Sequence, residues 1–168
     1  VRDPVPSPET IPTPDGDAGP LPTLSTFGFD VEDAVVDERG VVDWTGGESA
    51  GLDRVETYVW ERDCLREYRE TRNGLLGADY SSKFSPWLNE GCLSPRRVHE
   101  EVAAYERERV ENDSTYWLRF ELRWRDFFQF QVLKHGGQFF SPGGLRRRVD
   151  VEWDDDEDAF ERWAAGET

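Results

Sequence analysis

Apolar positions in this chain follow a helical rather than an alternating rhythm, and they do so only beyond the first 45 residues. From Ser49 onward, Leu52, Val55 and Val59 share one face that continues toward Leu65 and Tyr68, which predicts a helix over that stretch. Asn73-Gly74 and Gly77-Ala78-Asp79 break the pattern into an irregular loop. Ser85-Pro86 then opens a short helix that Gly91 stops, since a serine side chain caps free N–H groups and proline suits the first helical position. Ser94-Pro95 repeats the signal and starts a longer helix through Val102 and Tyr105 to about Val110. Asn112-Asp113-Ser114 caps the next helix, in which Trp117, Glu121, Trp124 and Phe128 fall on one face, and Gly136-Gly137 ends it. A loop (FFSPGGLRRR), an acidic cluster from Asp154 to Asp158 and a helical start (AFERWAAGET) follow. Alternation is confined to short pieces near Val35 and Val149, so the predicted class is mainly α.

Most prolines lie before about residue 24, so residues 1–45 read as an extended segment of the kind that joins domains, and residues 46–168 as a helical domain. Hydrophobic content is only 36%, but seven tryptophans raise the aromatics to 13%, so burial has to lean on large rings. Thirty-six acidic side chains face twenty basic ones, and only Lys83 and Lys134 are lysines. Acidity with scarce lysine is the surface expected in a salt-saturated cytoplasm; the other reading is an acidic, partly disordered protein, against which the patterned aromatic middle speaks. Near 1 M salt the Debye length is about 3 Å, so a net charge of −16 does not exclude a nucleic-acid partner there. Cys64 and Cys92 stand far apart and read as ordinary cytosolic thiols, and no apolar run reaches membrane-spanning length. A cytoplasmic protein with no membrane partner is expected.

Four constellations can carry chemistry. In the turn Tyr80–Pro86, the hydroxyls of Ser81, Ser82 and Ser85 and the ammonium of Lys83 converge on a helix start, where phosphate is readily held; ordinary serine caps are the simpler reading. Glu121 lies between Trp117 and Trp124 on one helix face, with Arg125 one turn on as an ion-pair partner. Such a group can receive an extruded base, with the carboxylate on its polar edge, or it is a core stripe beside a surface ion pair. Arg72, one turn after Tyr68, either meets a phosphate or caps a solvated helix end. The acidic cluster Asp154–Asp158 can ligate a metal, but a solvated helix-capping face accounts for it, and no metal is assigned. Arg146–Arg148 touches DNA or balances the neighbouring acids, and His99 and His135 have no catalytic context.

Taken together and in order, these segments resemble the photolyase and cryptochrome family, in particular its DASH type. YRETRNGLLGADYSSKFSPWLNEGCLSPR is similar to the stretch running from the first flavin-contacting tyrosine through the phosphate-binding serines, and NDSTYWLRFELRWRDFF to the helix that walls the flavin pocket. The resemblance implies a helical FAD-binding domain, a light-driven lyase acting on cyclobutane pyrimidine dimers in DNA, and a preference for single strands. It assigns Tyr68, Ser81, Ser82, Lys83, Phe84 and Ser85 to FAD, Arg72 to DNA, and Glu121 and Trp124 to the dimer. It places Arg125 at the flavin and DNA phosphates, and Trp153 as the outermost tryptophan of an electron-transfer chain. Arg123 and Gln129 depart from the residues common at their positions.

The match leaves out an N-terminal antenna domain, with any folate-like pigment, and the second half of the FAD domain. The expectation is therefore a fragment that by itself retains little flavin and is inactive. The alternatives are a photosensory or nucleic-acid-binding member without repair, and an inactive remnant or one half of a split protein completed by a second chain.

Overall fold

The computed structural model describes residues 19–20, 22–30, 40–42, 44–74, 77–150 and 152–167. Most of the predicted linker and the alternating piece near Val35 lie outside them. The chain divides into two compact units, one reaching to Leu122 and the other beginning at Arg123.

In the first unit, α1 (Glu48–Val55) leaves Gly47, whose φ of 96° suits only glycine. The helix widens into a π-helical segment, Glu56–Glu61, closed by a bond from the Arg62 N–H to the Thr57 carbonyl at 2.9 Å. The helix predicted to run on to Tyr68 does not: Asp63 takes a left-handed conformation (φ 54°), a 3-10 turn spans Cys64–Glu67, and α2 (Tyr68–Thr71) restarts the helix. The break is tertiary in origin. The Asp63 carboxylate accepts hydrogen bonds from Tyr105 Oη (2.6 Å), Arg66 Nε (2.7 Å) and Arg109 Nη1 (2.9 Å), and aspartate tolerates the left-handed region better than most residues.

Helix α3 (Ser85–Asn89) forms where Ser85-Pro86 predicts, and Gly91 (φ 73°) follows it. The predicted serine cap is absent: Ser85 is the first helical residue, Phe84 occupies the cap position, and no side chain closes the turn. Ser94 does stand at the cap position of α4 (Pro95–Glu108), but its hydroxyl makes no capping bond either, so the fixed φ of Pro95 starts that helix. Helix α5 (Asp113–His135) is capped as expected. Asn112 Oδ1 accepts from the backbone N–H groups of Ser114 (2.9 Å) and Thr115 (3.0 Å), and Asn112 Nδ2 donates to the Arg66 carbonyl (2.9 Å). Asn112→Ala should therefore cost about 1–2 kcal/mol, measured by urea unfolding, because two helix-end donors lose their acceptor.

One face of α4 (Val98, Val102, Tyr105) packs on the π-helical segment, and with Val55, Tyr58, Val59, Leu65, Phe84, Trp87, Leu93 and Leu118 it forms the buried core. Full burial of each such side chain contributes about 1.5–3 kcal/mol, so this small core suffices to hold the loop 77–84 against it. The indoles keep their polar edges satisfied: Trp60 Nε1 donates to Glu101 Oε2 and Trp87 Nε1 to the Thr45 carbonyl, both at 2.9 Å.

The second unit contains the residues of α5 from Arg123, a 3-10 turn (Gly136–Phe140), successive turns over 142–147 and α6 (Glu157–Ala164). Asp156 caps α6 by accepting from the Ala159 N–H at 2.9 Å, the role expected of the acidic cluster. No strand occurs among the described residues, and Val149 is 98% exposed outside any element. No helix of the described residues is long and apolar enough to cross a membrane.

Candidate functional site

The hydroxyl-rich turn is shaped by a residue outside it. Arg54, on the last turn of α1, is only 9% exposed and spreads its guanidinium under the loop. Nη2 donates to the Ala78 carbonyl (2.7 Å) and the Ser81 carbonyl (3.4 Å), and Nε to the Ser82 carbonyl (3.0 Å). Nη1 meets Asp79 Oδ1 at 3.4 Å, while Arg62 pairs with the other oxygen of Asp79. The same guanidinium lies 5.1 Å from the centroid of the buried Tyr58 ring. Nothing in the local sequence pattern singles out Arg54, Arg62 or Asp79. Their only advance signal is weak, the one-turn spacing of Arg54 and Tyr58 that suits a cation over a ring.

Beyond Ser82 the chain reverses its handedness. Lys83 has a φ of 55° and Phe84 one of −77°, the alternation that turns successive N–H groups into one concavity able to hold an anion. The hydroxyls of Ser81, Ser82 and Ser85 have no hydrogen-bond partner among the described residues, so none of them is consumed as a cap. Ser81, Ser82 and Lys83 are half-buried, Ser85 is exposed, and Phe84 is buried and anchors the turn in the core against Tyr58, with the two ring centroids 5.8 Å apart. Three hydroxyls, a concave set of N–H groups and one ammonium are a donor set that fits the oxygens of a diphosphate.

A second cluster gathers Tyr68, Arg72, Trp117 and Glu121. Arg72, at the end of α2, forms an ion pair with Glu121 and lies 5.2 Å over the Trp117 ring centroid. The partner of Glu121 is thus Arg72, 49 residues away, and not Arg125 as helical spacing suggests. Arg125 Nη1 is instead 3.5 Å from Asp126 Oδ1 and 3.3 Å from Gln129 Oε1. Tyr68 is buried; that burial, reinforced by the Glu121 charge, holds its phenol proton more tightly than usual, with Arg72 opposing. Arg72 and Glu121 each remain about one-third exposed, so the pair is open to a ligand.

In the second unit Trp124 stacks on Phe128 (centroids 5.8 Å, planes at 27°) and meets Phe127 edge-on, with 41% of its surface exposed. Trp153 is also largely exposed and donates from Nε1 to the Pro142 carbonyl at 2.9 Å. Arg148 of the basic run pairs with Asp150 at 2.7 Å. No group of three or more metal-ligating side chains in binding geometry occurs among the described residues.

No family model matches the chain. Curated relatives do. It is 63% identical over its whole length to a cryptochrome DASH of Natronomonas pharaonis, covering 35% of that protein, and 50% identical over its whole length to one of Gloeobacter violaceus, covering 33%. Over 94% of its length it is 50% identical to the chloroplastic/mitochondrial cryptochrome DASH of Arabidopsis thaliana, covering 27% of it. The crystal structure of the Synechocystis sp. PCC6803 cryptochrome matches 86% of the chain with a TM-score of 0.78 and 51% identity, over 29% of that chain. The chain spans about a third of the length of the first two of these relatives. Over the part of these proteins that it spans, the chain belongs to the cryptochrome DASH family.

Proposed function

We propose that the protein carrying these residues binds FAD and uses blue light to reverse cyclobutane pyrimidine dimers presented in single-stranded DNA. The observation that carries the reading is the turn Ser81–Ser85, where hydroxyls without a partner among the described residues and a left-handed Lys83 make a concave donor set anchored by the buried Phe84. A bound flavin would supply the light-driven electron that opens the cyclobutane ring. The chain's own residues bind and orient: the serines and Lys83 take the diphosphate, and Arg72 takes a DNA phosphate. Glu121 accepts from the polar edge of the extruded dimer. A dimer in a single strand has no partner strand to leave, which lowers the cost of extrusion. The exposure of Trp153 suits an outermost relay through which an external reductant would bring the flavin to its reduced state, the ring opening itself consuming no electron overall.

The test is quantitative. Each neutral hydroxyl bond contributes about 0.5–1.5 kcal/mol net, so the triple variant Ser81→Ala, Ser82→Ala, Ser85→Ala should weaken FAD binding about tenfold or more. Fluorescence titration measures the affinity, and a melting curve without flavin checks the fold. Unchanged FAD affinity in a folded triple variant would discard the phosphate assignment.

A further inference from the structure

We infer that Arg54 is a positioning residue for the diphosphate turn, orienting its backbone donors without touching the ligand; the inference rests on the FAD reading above. Within a trans peptide the carbonyl of one residue and the N–H of the next point in opposite directions. Arg54 draws the carbonyls of Ser81 and Ser82 toward itself, at 3.4 and 3.0 Å, and so turns the N–H groups of Ser82 and Lys83 to the opposite side of the loop. The same bonds occupy carbonyl oxygens that would otherwise repel an incoming anion. Lys83 stands in a left-handed conformation that a side-chain-bearing residue adopts only at a cost, and the bond to Ser82 fixes the peptide directly before it. Asp79 completes the anchor from the other end of the loop, shared between Arg54 and Arg62. Arg54 is 9% exposed, and its four side-chain hydrogen bonds among the described residues all go to residues 78–82. Its charge is therefore spent on the shape of the loop.

A residue that shapes only the phosphate turn has a signature that a general stabilising role lacks. Riboflavin carries the flavin ring without a diphosphate, so loss of Arg54 should separate the two ligands. In the flavin-free protein carrying these residues, Arg54→Gln should weaken FAD binding about tenfold or more and leave riboflavin binding within about twofold. Arg54→Lys should fall between that variant and the parent, because one ammonium cannot span acceptors that the planar fork reaches together. If Arg54→Gln does not fold, Arg54→Lys carries the comparison, with FAD weakened and riboflavin unchanged. Equal losses for both ligands, or no loss for FAD while the triple serine variant is impaired, would overturn the role of Arg54 alone. An unimpaired triple serine variant would overturn the phosphate reading, and the inference with it.

Discussion

Replacing Asp63 with alanine should lower the stability of the first unit by about 3 kcal/mol. Two separate costs make up the figure. The Tyr105 side chain is fully buried, and losing the acceptor of its hydroxyl leaves a buried donor unsatisfied at about 1–3 kcal/mol. Alanine at a left-handed φ adds about 1–2 kcal/mol of backbone strain that aspartate escapes through its local bonding. The ion pairs to Arg66 and Arg109 are about a third or more exposed and contribute nothing to this estimate. Asp63→Asn keeps an acceptor and a residue tolerant of the left-handed region, so it should cost less than half as much.

The two variants also differ from the parent in pH dependence. Burial pushes the Asp63 carboxyl up, but bonds from Tyr105, Arg66 and Arg109 together outweigh it and hold the group at about 2, against an ordinary 3.8. A folded value below the unfolded one means that the contribution is complete above 3.8 and disappears as pH falls through about 2. Burial first, then the Asp63 bond and charge, push the Tyr105 phenol up to about 12, so its contribution is complete below the ordinary 10 and lost as pH climbs through 12. Urea unfolding across the acid range should show a steep loss for the parent and a shallower one for Asp63→Asn. An Asp63→Ala protein as stable as the parent would show that the helix break is set elsewhere.

That break also marks where reading the sequence reaches its limit. Helix starts were legible because their causes are local: Pro86 and Pro95 fix φ at their own positions, and Asn112 caps residues two and three further on. The interruption at Asp63 was not, because the groups holding it in place, Tyr105 and Arg109, come from the far end of α4, 42 and 46 residues away. Periodicity through Leu52, Val55, Val59 and Leu65 looked continuous since all four do face the interior, and a π-helical turn shifts the register without exposing an apolar side chain. The site divides in the same way. The hydroxyls and the lysine of the turn could be read directly, whereas Arg54 acts on backbone carbonyls that no side-chain motif encodes. The Glu121 partner was misplaced for a related reason. Helical spacing offers Arg125, but α2 ends where Arg72 reaches the carboxylate first and also covers the Trp117 face.

The Arg72–Glu121 pair leads to the larger functional expectation, because on the proposed reading its two members do different work on one DNA strand. In the protein carrying these residues, Arg72→Gln should weaken damaged and undamaged single strands alike and reduce the salt-dependence slope by about 0.7, the value of one phosphate contact on a single strand. Glu121→Ala should leave undamaged DNA and the salt slope unchanged and lower the preference for dimer-containing DNA by about ten- to a hundredfold, since a charge-assisted bond contributes about 1.5–3 kcal/mol. The two effects should not add. Arg72 holds the Glu121 carboxylate in the parent, so removing Arg72 leaves that carboxylate uncompensated beside an incoming phosphate, a penalty that Glu121→Ala relieves. The double variant should therefore bind undamaged strands more tightly than Arg72→Gln alone. Binding curves for damaged and undamaged oligonucleotides at several salt concentrations separate these outcomes. Equal losses on both DNAs from Glu121→Ala would assign the carboxylate to holding Arg72 in place and remove it from dimer recognition.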